Sequence, residues 1–202
     1  MTSVALKPLS ANATGEWLRA RLGTDDLPAE LTRLVTEKAE GNPLFAEEII
    51  NYLSERGEIT EDAAANMALP VSLENLLMAR VDRLAEAPKN WLRVASVIGR
   101  GFDAEVVGEV TGGDTKAIIA ELERMELIHG GGHGDEYLFK HALIQNAVYD
   151  SLLSDRRAAL HEKVAEVMER RNEHRLGEIA ETLAHHYSQT PRAEKAVRYM
   201  AK

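Results

Sequence analysis

The sequence predicts a mainly α-helical fold with one small β-hairpin. Apolar residues recur at helical spacing over most of the 202 residues, a pattern that favours amphipathic helices. Glycine and proline interrupt the pattern at intervals of about one short helix. The periodicity changes to that of strands once, where two short apolar runs flank the glycine-rich stretch 130–135, and this change predicts the hairpin.

Composition and charge narrow the class of protein. With 45% hydrophobic residues the chain can bury real cores, and the absence of cysteine excludes disulfides, thiolate catalysis and cysteine-based zinc sites. No apolar run is long enough to span a bilayer, and residues 1–10 lack the pattern of a signal peptide, so a soluble, cytoplasmic protein is predicted. The net charge of −9 disfavours nonspecific binding to nucleic acid or to an anionic membrane.

Two short antiparallel helices are predicted to meet at the corner Gly41-Asn42-Pro43. Gly41 ends the first helix and Gly57 ends the second. The ring of Pro43 disfavours a helical Asn42 but suits a first helical turn. Free N–H groups and the positive end of the helix dipole therefore point out of the corner. The two apolar stripes consist of Leu31, Leu34, Val35 and Ala39, then Leu44, Phe45, Ile49, Ile50 and Leu53.

Residues 58–70 lose the helical pattern and are predicted to form a loop or hinge, the first module boundary. Ser72 is then expected to cap a helix that keeps one apolar face to about residue 85. Val71 is expected to pack on Leu76 as a hydrophobic staple across the first turn.

Three helices and the hairpin follow in the order of a winged helix. The helices are predicted at 88–98, 102–110 and 114–126, and Asp114 is expected to cap the last of them. Several helices followed by one hairpin are typical of this domain. The predicted strands are Leu127–His129 and Tyr137–Lys140.

The helices beyond the hairpin are predicted to lead into a tetratricopeptide-like repeat segment. A helix over 142–153 is followed by a turn and cap at Ser154-Asp155, another helix, and a polar break at 170–175. Helices from Leu176 and from Ala193 come next, and their tyrosine and small residues allow paired helices to nest. One incomplete unit cannot bury both faces, so further repeats are expected.

Three strings carry a resemblance to a known family: GNPLFAEEIINYLSERG, LP-V-LENLLMARVDRL and FKHALIQNAVYDSLLSDRRAALHEKVAEVMER. They resemble the helical lid and winged-helix regions of signal-transduction ATPases with numerous domains, the STAND class. The version here is similar to the large AAA-type ATPases fused to adenylate or guanylate cyclase domains and to tetratricopeptide repeats. Residues 4–10 also resemble the exit from the last strand of the ATPase core in this family.

The resemblance implies four parts. Residues 1–23 are the exit from the ATPase core and the first lid helix, and residues 24–62 are the helical lid with the Gly-Asn-Pro corner. Residues 63–153 are the winged-helix domain. Residues 154–202 are a helical linker and the start of tetratricopeptide-like repeats.

The groups that hydrolyse nucleotide in such ATPases are absent from the sequence. No Gly-x-x-x-x-Gly-Lys-Ser/Thr motif occurs, and no apolar strand ends in acidic residues that could hold magnesium. We therefore predict a regulatory fragment with no catalytic residue and no metal site. It would meet ADP or ATP only beside a separate P-loop core.

The resemblance makes Gly41, Pro43 and His141 the candidate nucleotide contacts. In the family the proline of the corner packs against adenine, and the glycine permits close approach. Death- and resistance-type ATPases carry Met-His-Asp at the start of the helix after the wing, and its histidine reaches the nucleotide. The string FKHA places His141 there, but Ala142 replaces the aspartate, which removes the usual orienting group. A plain helix corner and a buried or capping histidine are the alternatives.

Two functions follow from these motifs. The first is a regulatory clamp, whose partners are an intramolecular P-loop core, an effector domain, and proteins or ligands bound by downstream repeats. The second is a DNA-binding winged helix. Its groove-reading helix, 114–126, carries two basic against four acidic side chains, whereas such a helix normally meets phosphate with lysine and arginine. The charge favours the clamp, with no nucleic acid and no membrane as partner.

The remaining histidines are expected to be structural. His129, His133 and His141 flank the hairpin without a fourth zinc ligand at suitable spacing. His185 and His186 are adjacent and therefore point to different sides of a helix.

Pairs of charged residues elsewhere are expected to lie at helix ends, where they face the helix dipole or solvent. Glu47 and Glu48 lie near a helix start, where carboxylates complement the dipole. The arginine pairs 156–157 and 170–171 are interpreted as solvated helix ends.

Overall fold

The computed structural model describes residues 7–60, 69–132 and 134–200. These residues form eleven α-helices and one three-stranded antiparallel sheet, so the prediction of a mainly α-helical fold is confirmed. The chain divides into two compact units, Met1–Arg80 and Val81–Lys202. The four-part division stays a prediction.

The first unit is a small helical cluster. Its helices are α1 (Ala11–Leu22), α2 (Ala29–Ala39), α3 (Pro43–Arg56) and α4 (Leu73–Asp82), of which α4 continues to the start of the second unit. Each helix contributes one apolar face to a common core, as the periodicity predicts. The fully buried members of this core are Leu18, Leu31, Val35, Ile49, Leu53 and Leu76.

The start of α4 confirms one prediction and overturns another. Ser72 caps the helix, since its Oγ accepts a hydrogen bond from the N–H of Asn75 at 3.1 Å. The predicted staple is wrong, because the side chain of Val71 is 90% exposed. Leu69, two residues earlier, packs in the core instead. Most of the predicted hinge at 58–70 lies outside the described residues.

The second unit begins with the elements of a winged helix. They are α5 (Glu86–Ile98), β1 (Gly101–Asp103), α6 (Ala104–Thr111), α7 (Thr115–Arg124), β2 (Ile128–Gly130) and β3 (Glu136–Phe139). The strands lie in the order β1-β3-β2 and all pair antiparallel. Asp114 caps α7 as predicted, because its Oδ1 accepts from the N–H of Ala117 at 3.1 Å.

Strand β1 corrects the prediction of a helix over 102–110. Phe102 pairs with Tyr137 of β3, and its ring packs edge-on against Trp91 at 5.4 Å and Phe139 at 5.3 Å between centroids. Asp103 then caps α6, its Oδ1 accepting from the N–H of Glu105 at 2.7 Å. A strand of three residues is too short to show the alternation of apolar and polar residues that marks a strand in a sequence. Its pairing partner, β3, lies far along the chain.

Four helices complete the second unit: α8 (Ala142–Asp150), α9 (Ser154–Arg171), α10 (Ala180–Ser188) and α11 (Ala193–Met200). Ser154 is the first residue of α9, where a turn was predicted. Helix α10 begins at Ala180 and not at Leu176, although Leu176 still packs against the core that α9, α10 and α11 share. The identification of these helices as tetratricopeptide-like stays a prediction.

One carboxylate ties the last three helices together. Glu169 of α9 accepts hydrogen bonds from the hydroxyl of Tyr187 at 2.6 Å, from the Nζ of Lys195 at 3.0 Å, and from the hydroxyl of Tyr199. Burial alone would raise the pKa of Glu169, but these hydrogen bonds outweigh it and lower the pKa. The carboxylate therefore stays charged and joins α10 and α11 to α9.

Candidate functional site

The Gly-Asn-Pro corner is held in place by the segment that precedes α1. The N–H of Leu9 donates to the carbonyl of Gly41 at 2.8 Å. Gly41 has φ +77°, and a Cβ at this position would lie 2.6 Å from the Cβ of Pro8 and 2.7 Å from the carbonyl oxygen of Leu9. Glycine is therefore required twice, for its backbone angle and for the close approach of residues 8 and 9. The partner that Gly41 approaches here is the chain itself.

Asn42 and Pro43 decide what the corner presents to solvent. The Oδ1 of Asn42 accepts from the N–H of Leu44 at 3.0 Å and of Phe45 at 3.3 Å. It thereby takes N–H groups that would otherwise be free to bind an anion. Pro43 is the first residue of α3 and its side chain is exposed. The corner offers an apolar ring, a surface suited to a planar group and not to phosphate.

Behind the corner, α3 is anchored by a buried ionic cluster. The guanidinium of Arg80 donates from Nη1 to Glu48 and from Nε to Glu55 at 2.8 Å. Arg80 and Glu48 are each fully buried. The prediction that Glu48 complements the helix dipole is therefore wrong. Burial raises the pKa of Glu48, and the charge of Arg80 opposes the rise.

His141 lies at the junction between β3 and α8. It takes the N-cap position with extended backbone angles, φ −134° and ψ 143°, but its side chain does not cap the helix. Its carbonyl oxygen accepts from the N–H of Ile144 at 3.0 Å. The imidazole is half-buried, and Ala142 beside it has no group that could orient the ring. Pro43 and Gly41 are neighbours in the first unit, and His141 belongs to the second.

A buried histidine pair in the second unit was missed by the sequence analysis. The Nδ1 atoms of His161 on α9 and His186 on α10 lie 2.9 Å apart, and the Nε2 of His161 lies 3.0 Å from the hydroxyl of Tyr149 on α8. Both imidazoles are almost completely buried, while His185 is exposed, which confirms that the adjacent histidines face different sides. The pair and Tyr149 connect three helices by side-chain hydrogen bonds.

Burial keeps both histidines neutral. It lowers the pKa of His161 to about 4 and that of His186 to about 3, and the charges of His185 and, for His161, Arg157 add to the effect. Arg157 stacks over the ring of Tyr149 at 4.2 Å and donates to the carbonyl oxygen of Leu152 at 3.2 Å. It is therefore not the solvated helix end that the sequence predicted.

The second unit has a cleft of about 670 Å³ between α6, α7 and the hairpin. Gly108 lets α6 and α7 come together, since a Cβ there would lie 2.7 Å from the Oγ1 of Thr115. The cleft is apolar at Ala104, Ile119, Ala120 and Tyr137. We call it the winged-helix cleft. Its charged lining residues are Glu105, Glu109, Glu123, Asp135, Lys116 and Arg171.

Arginines from the end of α9 close one side of this cleft. Arg171 donates from Nη1 to Glu109 at 2.6 Å and also pairs with Glu105, and Arg170 pairs with Glu109 at 2.6 Å. The hydrogen bonds from Arg171 and Arg170 lower the pKa of Glu109. Arg170 and Arg171 lie exposed in the last turn of α9, as predicted, but they also join α9 to α6, which the sequence did not predict. We call this group the ionic clasp.

Metal ligands and membrane-spanning helices are not found in the part of the chain that the structure describes. No group of three or more histidine and acidic side chains in that part of the chain could hold a metal ion. His133, one of the histidines considered for zinc, lies outside it. No helix of the described residues is long and apolar enough to cross a membrane.

Comparisons with known proteins give two likenesses. A family described as a domain of unknown function (DUF8739) matches residues 10–66, which include α1, α2 and α3. The uncharacterized protein R02095 of Rhizobium meliloti (strain 1021) is 26% identical over 178 residues, an alignment that covers 81% of this chain and 17% of the relative. The chain thus spans about a sixth of the length of this relative. Neither description names an activity.

Proposed function

We propose that this chain is the lid and winged-helix part of a signalling ATPase of the STAND class. In this proposal it couples the ADP or ATP state of a separate P-loop core to the control of an effector domain, such as a nucleotide cyclase. The observation that carries the proposal is the exposed ring of Pro43 at the first position of α3. In the ATPases that the chain resembles, the proline of this corner packs against adenine.

The geometry of the corner supports contact with a base. Asn42 already occupies N–H groups of the first turn, so electrostatic attraction for phosphate is reduced and the apolar ring of Pro43 dominates the surface. Gly41 is fixed by Leu9, and α3 is fixed by the ion pair between Glu48 and Arg80. A rigid support holds a contacting group in place at little entropic cost on binding.

His141 provides the second contact in this proposal. Its backbone is fixed between β3 and α8, and its imidazole is half-buried with Nε2 shielded from solvent. The core holds ADP, Pro43 packs on the base, and His141 reaches the phosphates. ADP then stabilises the closed arrangement only through its higher affinity for that state. A complete switch requires a difference of about 5.5 kcal/mol between the two states.

The proposal assigns chemistry to the parent protein and not to this segment. The sequence lacks the P-loop motif, so hydrolysis belongs to the core. The relative contains far more chain than the aligned part, so a protein of this kind has room for a core and an effector. Repeats that continue from α10 and α11 would bind the signalling protein or ligand, in the cytoplasm.

The test uses the complete protein encoded by the gene in which this segment lies, purified with its bound nucleotide. Pro43→Ala and His141→Ala should each weaken ADP retention by about five- to thirtyfold, as the loss of one packed or hydrogen-bonded contact predicts. Basal effector activity should rise in both. Release of a fluorescent ADP analogue measures the first effect.

Matched controls separate nucleotide contact from loss of folding. Pro28→Ala changes a proline at the start of α2, and His174→Ala changes an exposed histidine in the turn after α9; neither should alter ADP release. The proposal fails if Pro43→Ala and His141→Ala retain ADP like the wild type, or if the complete protein has no P-loop.

A further inference from the structure

The acidic groups of the winged-helix cleft fall into two classes. Glu105 and Glu109 are occupied by Arg171 through the ionic clasp. Glu123 on α7 and Asp135 at the tip of the hairpin are exposed. Within the described part of the chain, neither of these two carboxylates takes part in a hydrogen bond or an ion pair. The cleft therefore has two acidic groups that are still available.

The clasp shows which chemistry this cleft accepts. A guanidinium already lies at its edge, with two carboxylates around it. The same lining is apolar at Ile119, Ala120 and Tyr137. A ligand that fits both features needs a cationic head for the acids and an apolar group for the lining. Lysine or arginine next to an apolar side chain in a peptide has this composition.

We propose that the winged-helix cleft docks a segment of a partner protein in which a lysine or arginine stands beside apolar residues. The apolar residues cover Ile119, Ala120 and Tyr137, and the cation reaches Glu123 or Asp135. Gly41, Pro43 and His141 are not among the residues that line the cleft, so this proposal does not depend on whether nucleotide is sensed there.

The charges favour this partner over nucleic acid. Lys116 is the exposed cation on the cleft face of α7, and Arg171 is committed to Glu105 and Glu109. Phosphate groups near the cleft would face the two carboxylates of Glu123 and Asp135 against the single exposed lysine of the lining, so the net charge there is unfavourable. A basic peptide gains from the same charges and its binding should weaken with salt.

Panning a phage-displayed library of random peptides against the folded chain tests the proposal. The enriched peptides should carry lysine or arginine beside leucine, isoleucine, valine or an aromatic residue. A synthetic copy of the dominant peptide is then titrated by fluorescence anisotropy. The double variant Glu123→Lys with Asp135→Lys should weaken its binding by at least about tenfold, because whichever carboxylate the cation reaches is replaced by a repelling charge.

The control is Glu121→Lys, which makes the same kind of charge change on α7 outside the cleft. It should change binding by less than about twofold, and circular dichroism should show that all variants keep the wild-type helix content. Three results would overturn the proposal: no enrichment of basic and apolar peptides, equal peptide affinity for the double variant, or displacement of the peptide by duplex DNA. A normal or altered ADP release rate bears only on the nucleotide proposal.

Discussion

The Nδ1 atoms of His161 and His186 lie 2.9 Å apart in the interior of the second unit. At that distance one nitrogen must donate its hydrogen and the other must accept it, so both rings have to be neutral or share one proton. Tyr149 continues the hydrogen-bonded chain on α8, while Arg157 and exposed His185 add positive charge nearby. Protonation of both rings removes the acceptor, so the pair connects α8, α9 and α10 only while at least one ring stays neutral.

We predict that the second unit loses stability in acid because of this pair. The pKa values of His161 and His186, about 4 and about 3 when folded, lie below the ordinary value of 6.5. The unfolded chain therefore binds more protons below pH 6.5, and stability falls as the pH drops from there towards 4. Each additional proton that the unfolded chain binds lowers the free energy of unfolding by about 1.4 kcal/mol per pH unit in this window. Denaturant unfolding at a series of pH values measures the slope.

The comparison with His186→Phe separates this effect from titration of carboxylates. We expect the variant to be less stable than the wild type at pH 7 and the difference between the two to shrink as the pH falls. His185→Ala, which changes the exposed neighbour, should keep most of the wild-type slope. Parallel pH profiles for the wild type and His186→Phe would contradict the prediction.

The sequence reveals local features well and distant pairings poorly. Asn42, Ser72 and Asp114 could be predicted as caps or helix breaks because each acts on N–H groups two or three residues away. Strand β1 could not, since Gly101–Asp103 exists as a strand only through β3. The winged-helix order could still be predicted because helical periodicity and the glycine-rich turn lie within single segments.

In the candidate sites, too, contacts between residues far apart in the sequence could not be predicted. The ion pair of Glu48 with Arg80 and the contact of His161 with His186 each join residues on different helices. A signal was present, because Arg80 stands between the inward-facing Leu77 and Val81. A charged residue on an apolar face indicates a buried partner, but the sequence does not say which of many carboxylates provides it.

We predict that Glu48→Ala destabilises the first unit strongly. The substitution leaves the guanidinium of Arg80 fully buried with one carboxylate fewer, and breaking a buried pair costs about 3–5 kcal/mol. Glu55, which also binds Arg80, should bring the loss to the lower end of this range. Thermal unfolding of the variant measures it.

Two further variants test the cause. Glu48→Leu combined with Arg80→Met removes both charges and should recover much of the stability lost by Glu48→Ala. Glu47→Ala, at the neighbouring partly exposed position, should change the free energy of unfolding by about 0.5 kcal/mol or less. If the double variant is no more stable than Glu48→Ala, packing and not charge dominates at this position.

We predict that Gly41→Ala costs more than Gly57→Ala. Both glycines have positive φ, +77° and +67°, so alanine is strained at both by about 1–2 kcal/mol. At Gly57 a Cβ meets nothing within 4 Å, whereas at Gly41 it meets Pro8 and Leu9. The variant at Gly41 must therefore also displace the segment before α1. Urea unfolding of both variants should show the larger loss for Gly41→Ala, and equal losses would contradict the observed contact.

The last prediction concerns Glu169, through which α11 is attached to α9. Glu169→Ala removes the acceptor for Tyr187, Lys195 and Tyr199 at once. We expect faster hydrogen exchange in α11 by mass spectrometry, while α5 to α7 exchange as in the wild type, because the lost contacts lie only among α9, α10 and α11.

The matched control for Glu169 is Glu166→Ala on the same helix. Glu166 is about half-exposed and pairs with Arg192 at 3.4 Å, a contact of the kind that contributes about 0–1 kcal/mol. Exchange in α11 should hardly change in this variant. Unchanged exchange in Glu169→Ala would mean that apolar packing of Tyr187 and Tyr199, whose rings stack at 6.0 Å, holds α11 without the carboxylate. The two variants therefore distinguish a polar attachment of α11 from an apolar one.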